Sequence, residues 1–211
     1  MNSNSPIRHS MVLKFEGVTT VKRLLLTCLV SAAICSPALA ALKPGDKAPL
    51  FTASASLAGK EFRYSLEESL KKGPVVVYFY PSAYTQGCNV QARTFSVNQE
   101  KFAAAGASII GVSLDSIQRL NKFSADPEYC AGKFPVASDP DGSIAKSFDL
   151  NIREIAGLKD TKGEEIDHGL AERTTFVITP DGRIAEVIGG MSPTDNVMKA
   201  LETVQRLNTK S

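Results

Sequence analysis

The sequence predicts an α/β fold, a central mixed β-sheet with helices on both faces, carried by a single domain over residues 41–211. Three observations lead there. Val75 to Tyr80 is an unbroken apolar, β-branched and aromatic run, the pattern of a strand buried on both faces. Helix-like and strand-like segments alternate after it, which favours a sheet sandwiched between helix layers. Near the C-terminus, Pro180-Asp181-Gly182 joins two further strand-like runs, adding an antiparallel hairpin to the parallel part.

Along the chain, Lys22-Arg23, the apolar run Leu24 to Ile34 and the small-residue site Ala38-Leu39-Ala40 read as a secretory signal. Cleavage is expected after Ala40, making residues 1–40 a signal peptide and the product periplasmic or secreted, with no stable membrane insertion after cleavage. The apolar run is too short to span a bilayer. After Ala41 to Asp46, Phe51 to Tyr64 is expected to be irregular chain and a hairpin. Ser65 caps a short helix ending near Lys72, with Glu67 and Glu68 in its first turn and Gly73-Pro74 as the stop. The central strand follows, then a loop from Pro81 to Gly87.

A helix from about Cys88 to Ala105 places Ala92, Phe95 and Phe102 on one stripe and ends at Gly106. Ser108 to Leu114 is a second buried strand. Ile117, Leu120 and Ser124 mark a helix that Pro127 terminates, leaving Cys130 in a loop or frayed turn. Phe134 to Ala137 is expected as a short strand and Ser143 to Phe148 as a helix. Asn151 to Ala171 is polar and reads as a surface excursion that leaves His168 in solvent. Thr174 to Thr179 and Arg183 to Ile188 form the hairpin, and Thr194 to Leu207 closes the chain as an amphipathic helix. This succession is a thioredoxin-like order.

Composition narrows the chemistry. The 211 residues are 43% hydrophobic and 22% charged, enough for one core, and the formal net charge of +2 is too mild for a nucleic-acid-binding face. Removing the leader takes away four Lys/Arg and one Asp/Glu, leaving 20 against 21 and a net charge of −1. It also removes Cys28, Cys35 and His9, so Cys88, Cys130 and His168 remain. One histidine makes a His-rich metal site or a Ser-His-Asp triad hard to assemble, so the chemistry is expected on cysteine. Asp139-Pro140-Asp141-Gly142 lacks a third loop carboxylate and reads as a turn rather than a calcium loop.

Cys88 falls in the first turn of the helix after the central strand, where free backbone N–H groups and the positive helix end favour a thiolate. Position alone leaves a structural and a reactive thiol equally open. The surrounding residues resemble the peroxiredoxins. Pro81, Thr85 and Cys88 match the Pro-x-x-x-Thr-x-x-Cys motif after a Val-Tyr-Phe-Tyr strand, as in the bacterioferritin-comigratory-protein branch. Gln91 stands where that family has Glu or Gln, and Arg173, opening the Thr-Thr-Phe-Val-Ile strand, stands at its active-site Arg. Gln86 departs from the usual Pro, and Arg93 occupies the position five after Cys88 where many members carry a resolving thiol.

The resemblance implies a cofactor-free, thiol-dependent peroxidase acting on hydrogen peroxide and organic hydroperoxides, re-reduced by a thioredoxin-like protein or other thiol reductant, as a monomer or homodimer. Cys88 would be oxidised to a sulfenic acid and Cys130 would resolve it as a disulfide. For a generic thiol, lowering the pKa from ~8.5 to ~6 raises the thiolate fraction at neutral pH roughly thirtyfold, but a Brønsted slope of about 0.4–0.5 takes back roughly ten- to eighteenfold. Transition-state stabilisation must therefore supply the rest. Thr85 and Arg173 would bind thiolate and peroxide, Pro81 would shield the sulfur, and Gln91 would hold Arg173. The rival reading, a periplasmic thiol–disulfide oxidoreductase, calls for Cys-x-x-Cys, and Gln91 stands at its second cysteine position. A non-enzymatic redox-sensing module predicts no peroxide turnover.

Overall fold

The computed structural model describes residues 42–209; the expected signal peptide lies outside the described residues. The chain opens with an antiparallel hairpin, β1 (Thr52–Leu57) and β2 (Lys60–Ser65), followed by the short helix α1 (Leu66–Leu70). Ser65 caps α1 by accepting from the Glu68 N–H. The central strand β3 (Val75–Phe79) leads to the long helix α2 (Gln86–Ala104), then β4 (Ser108–Ser113), α3 (Ile117–Ala125), β5 (Val136–Ser138) and α4 (Ser143–Ser147). A small pair, β6 (Ile152–Arg153) and β7 (Leu170–Ala171), precedes the hairpin β8 (Thr174–Ile178) and β9 (Ile184–Gly189) and the closing helix α5 (Pro193–Asn208).

The seven-stranded sheet runs β2-β1-β5-β4-β3-β8-β9, parallel where β3 meets β4 and β4 meets β5, antiparallel elsewhere. Every residue of β3 is buried, and the period of two sends them to opposite sides. Val76, Tyr78 and, beyond the strand, Tyr80 pack with Phe95, Phe102, Phe123 and Val204 on the α2–α3–α5 side. Val75, Val77 and Phe79 pack with Leu66, Phe148 and Phe176 on the other. Each such side chain contributes about 1.5–3 kcal/mol on burial, which fixes where β3 ends and therefore where the loop after it begins.

Three expectations need correction. The strand read over Phe134 to Ala137 starts later, because Pro135 has no N–H for the ladder and Phe134 packs its ring edge against Tyr78 instead. The segment Asn151 to Ala171 is not merely a surface excursion, since Ile166, Leu170 and Ala171 are buried and β6 pairs with β7. His168 is not in solvent: its side chain is only 13% exposed and both ring nitrogens face protein oxygens. These contacts are long-range in sequence, so a polar composition conceals them. Asp139, in the turn read against calcium binding, accepts from the Ile144 and Ala145 N–H groups at the start of α4.

Candidate active site

The loop Pro81–Thr85 carries the chain from the end of β3 to the start of α2, and the fold holds it from several sides. Asp115, wholly buried just beyond β4, accepts from the Ala83 N–H at 2.7 Å and the Ser82 hydroxyl at 2.8 Å. Arg119, on α3, donates to the Ala83 carbonyl at 3.0 Å. The Tyr84 carbonyl accepts from both the N–H and the hydroxyl of Thr161, at 3.0 and 2.6 Å. Tyr84 itself sits at φ 63, a left-handed conformation costing a bulky residue about 1–2 kcal/mol. Its ring is clamped edge-on by Phe123 and Tyr129, with the Lys162 ammonium 3.6 Å from its centroid. Burial and the nearby Asp126 carboxylate push the Tyr84 phenol up to about 12, so it stays neutral in this setting.

Thr85 is the N-cap of α2, yet its side chain does not cap the helix: the hydroxyl donates to the Ser82 carbonyl at 2.9 Å. The first helical hydrogen bond of the ladder runs from Asn89 N–H to Thr85 C=O, leaving the Gly87 and Cys88 N–H groups without intrahelical partners. Cys88, the third residue of the helix, is 2% exposed and belongs to the core cluster on the α2–α3–α5 side. The Arg173 guanidinium, placed immediately before β8, donates through Nη2 to Cys88 Sγ at 3.2 Å and through Nη1 to Gln91 Oε1. Gln91 is one helical turn after Cys88 on the same face. Its amide nitrogen donates to Asn196 Oδ1 at 3.0 Å, an oxygen that also accepts from Thr175 Oγ1 at 2.6 Å.

The structure thus gathers Thr85, Cys88, Gln91 and Arg173 around one sulfur-bearing turn. Pro81 lies at the loop's entry and, with Thr85, Gln86, Leu158, Thr161 and Leu170, lines a cleft of about 370 Å³. Among the described residues both Cys88 and Cys130 are free thiols. Cys130 is fully buried in the same cluster, in a run of turns that includes left-handed Ala131 and Gly132, and burial together with Asp126 pushes its thiol well above the ordinary range. Arg93, at the position five after Cys88, donates to the Pro127 carbonyl at 3.2 Å and so ties α2 to the segment carrying Cys130.

Against known proteins, residues 44–187 match the AhpC/TSA family. The chain belongs to the AhpC/TSA family. Peroxiredoxin Bcp of Escherichia coli (strain K12) is 34% identical over 146 residues, covering 69% of this chain and 85% of that protein. A putative peroxiredoxin of Mycobacterium tuberculosis (strain H37Rv) is 34% identical over 158 residues, 75% of this chain and 92% of that one. The crystal structure of peroxidoxin BcpB from Mycobacterium tuberculosis superposes with a TM-score of 0.66 at 30% identity, over 79% of this chain and 98% of that chain. The protein is therefore a Bcp-like peroxiredoxin with a thioredoxin-like fold, a thiol-dependent peroxidase that acts on peroxides and is re-reduced by thiols.

Asp115, Arg119, Thr161, His168 and Asn196 support this site and were not anticipated. One signal existed: Asp115 follows a buried parallel strand, and polar residues beyond the carboxyl ends of such strands are where α/β sites gather. Asn196 and Thr161 carried none, because each meets the site from an element more than 70 residues away in sequence from Cys88.

Proposed function

We propose that Cys88 is the peroxidatic nucleophile and that Cys130 resolves it. The carrying observation is the Arg173 guanidinium, which holds Cys88 Sγ with one nitrogen and Gln91 with another. Thiolate Sγ attacks the nearer peroxide oxygen, the O–O bond breaks, and the departing oxygen leaves with a proton as water or an alcohol, while Cys88 becomes a sulfenic acid. Negative charge moves from sulfur to oxygen in that step. Arg173 and the Gly87 and Cys88 N–H groups lie where they can follow it, in a setting from which water is largely excluded. With its proton committed to Ser82, Thr85 Oγ1 offers lone pairs to a peroxide O–H. The cleft beside Pro81 and Thr85 is the entry route, and its Leu158 and Leu170 walls suit organic hydroperoxides as well as hydrogen peroxide.

The Cys130 thiol then attacks the sulfenic sulfur, a disulfide forms and water leaves. Both thiols are buried, so the first turn of α2 and the turns around Cys130 must open for the two sulfurs to meet. Export through the 1–40 leader would place the enzyme in an oxidising compartment, where its reductant would be a thioredoxin-like protein of that compartment.

Stopped-flow mixing of the reduced protein with hydrogen peroxide tests the nucleophile: Cys88→Ser abolishes the fast phase, and equal rates for variant and wild type refute the assignment. Intact-mass measurement after one equivalent of peroxide tests the resolver. Loss of two hydrogens is expected; a stable oxygen adduct on wild type refutes a resolving role for Cys130. Amino-terminal sequencing of the exported protein tests the leader, with Ala41 as the expected first residue.

A further inference from the structure

Beneath the loop that presents Cys88 lies a polar cluster the peroxidase chemistry does not use directly. Asp115 is its centre. One carboxylate oxygen accepts from the Ser82 hydroxyl at 2.8 Å and faces His168 Nε2 at 3.0 Å; the other accepts from the Ala83 N–H and the Ser113 hydroxyl, both at 2.7 Å. Arg119 Nε also lies 3.0 Å from the carboxylate. The second ring nitrogen of His168, Nδ1, is 2.8 Å from the Gly169 carbonyl oxygen. A carbonyl oxygen and an ionised carboxylate can only accept, so this geometry satisfies both ring nitrogens only when both donate, as they do in an imidazolium. Burial opposes the charged form, but the hydrogen bonds that the ring donates to the Asp115 carboxylate and the Gly169 carbonyl favour it, and the balance raises the His168 pKa above its ordinary value.

We propose that His168 and Asp115 are positioning residues for the peroxidase reaction, an imidazolium–carboxylate pair that fixes the Ser82–Ala83 peptide and through it the Thr85–Cys88 turn, and that loosens when His168 loses its proton. The inference rests on Cys88 being the nucleophile. The path is short. Asp115 holds Ser82 and Ala83; the Ser82 carbonyl receives the Thr85 hydroxyl; the Thr85 carbonyl receives the Asn89 N–H that starts the helix. Deprotonation leaves two lone pairs facing each other at the Gly169 or the Asp115 contact. At the latter the Ser82 hydroxyl, 3.4 Å from Nε2, can turn to donate to the ring only by releasing Asp115, so in either case a contact that ties the ring or Ser82 in place is lost. The charged groups around His168 are Asp115 beyond β4, Arg119 and Lys122 on α3, and Lys162, Glu164, Glu165 and Asp167 on its own segment. Arg119 Nε lies 3.0 Å from the same Ser82-facing oxygen and keeps its charge when the imidazolium is lost, but it makes no hydrogen bond there. Its other nitrogens are engaged by Asp160, Glu164 and the Ala83 carbonyl, so deprotonation of His168 weakens the hold on the Ser82–Ala83 peptide rather than abolishing it. Because the native pKa is raised, the contribution is complete below the ordinary histidine pKa and disappears as pH climbs through the raised one.

The test compares second-order rates of Cys88 oxidation by hydrogen peroxide between pH 5 and 9 in wild type and His168→Gln, taking their ratio so that the nucleophile's own titration divides out. The expected ratio is roughly three- to tenfold at the acidic end, below the ~10²-fold that a misplacement of about 1 Å can cost, and falls to near one at the alkaline end. A ratio that is flat across pH, or one that grows with pH, overturns the proposal even if the variant is less stable. A Cys88→Ser control separates failures: if it reacts like wild type, the nucleophile assignment itself has failed. Independently of any variant at the site, the His168 imidazole resonance of the reduced full chain, distinguished from that of His9 by His9→Gln, should titrate above the ordinary histidine value; titration at or below that value overturns the proposal.

Discussion

Gly87→Ala separates the stability of α2 from the placement of the guanidinium that serves it. Gly87 has ordinary helical backbone at the second position of α2, so alanine is sterically admissible there and removes part of glycine's helix penalty, up to about 0.5–1 kcal/mol and less in a first turn. The added Cβ, however, would lie 3.1 Å from Arg173 Nη2 and 3.5 Å from Pro193 Cγ. The nitrogen must retreat by a few tenths of an ångström, and it is the one that donates to Cys88 Sγ at 3.2 Å. Complete removal of a transition-state donor costs ~10²–10³ in rate. A displaced donor that keeps its bond to Gln91 retains much of that, and the expected loss is about tenfold, or about 1.4 kcal/mol.

Stopped-flow oxidation kinetics and a thermal melt on the same preparation decide the matter. The rate should fall while the melting temperature holds or rises. An unchanged rate would show that the Arg173–sulfur contact does not persist into the transition state, and a rate loss accompanied by a lower melting temperature would show that the helix start was damaged instead. Arg173→Lys is the companion variant. A single ammonium cannot replace the guanidinium fork that reaches both Cys88 Sγ and Gln91 Oε1, so the loss should be at least as large although the charge is kept.

Asn196→Ala leaves the Gln91 amide and the Thr175 hydroxyl without their buried acceptor, and is expected to destabilise by about 1–3 kcal/mol in urea melts and to slow Cys88 oxidation several-fold by freeing Gln91. If Cys130 acts only in the later, resolving step as proposed, Cys130→Ser leaves the first oxidation rate within about twofold of wild type, while mass spectrometry shows sulfinic acid accumulating with excess peroxide. The reduced protein should lose stability at alkaline pH. Burial and Asp126 raise the Cys130 thiol in the native state, so the contribution is intact below the ordinary thiol pKa and drains away as pH rises beyond it, by at most ~1.4 kcal/mol per pH unit. Urea melts at pH 8 and pH 10 should show the decline in wild type and a smaller one in Cys130→Ala; equal declines would mean that other groups cause it.

The readings that held were those governed by neighbours in sequence. The β3 run, the Ser65 cap, the Pro180-Asp181-Gly182 turn with Gly182 at φ 76, and the position of Cys88 in the first turn of α2 all depend on side-chain period, caps and backbone preferences within a few residues. Gln91 beside Arg173 was expected from the family resemblance alone, since 82 residues separate them. The polar stretch Asn151 to Ala171 misled because low hydrophobicity does not distinguish a loop in water from one whose polar groups are bonded to the fold. Thr161, Asp160 and His168 are of the second kind, each satisfied by a partner from a distant element.

What the sequence by itself determined is the order of elements, the buried strand that ends at the loop, and the presence of a cysteine at a helix start with Pro81 and Thr85 at fixed distances before it. Local geometry is enough for these, because strand, turn and helix follow from the residues that compose them. Tertiary structure alone decided that Asn196 steadies Gln91 and that Asp115 and His168 hold the loop from below, and it gave geometry to the Arg173–sulfur contact that the family resemblance had implied. Each of those contacts joins elements brought together only when the two apolar faces of the sheet are buried, and hydrogen bonds of this kind have no signature in sequence until that burial has chosen their partners.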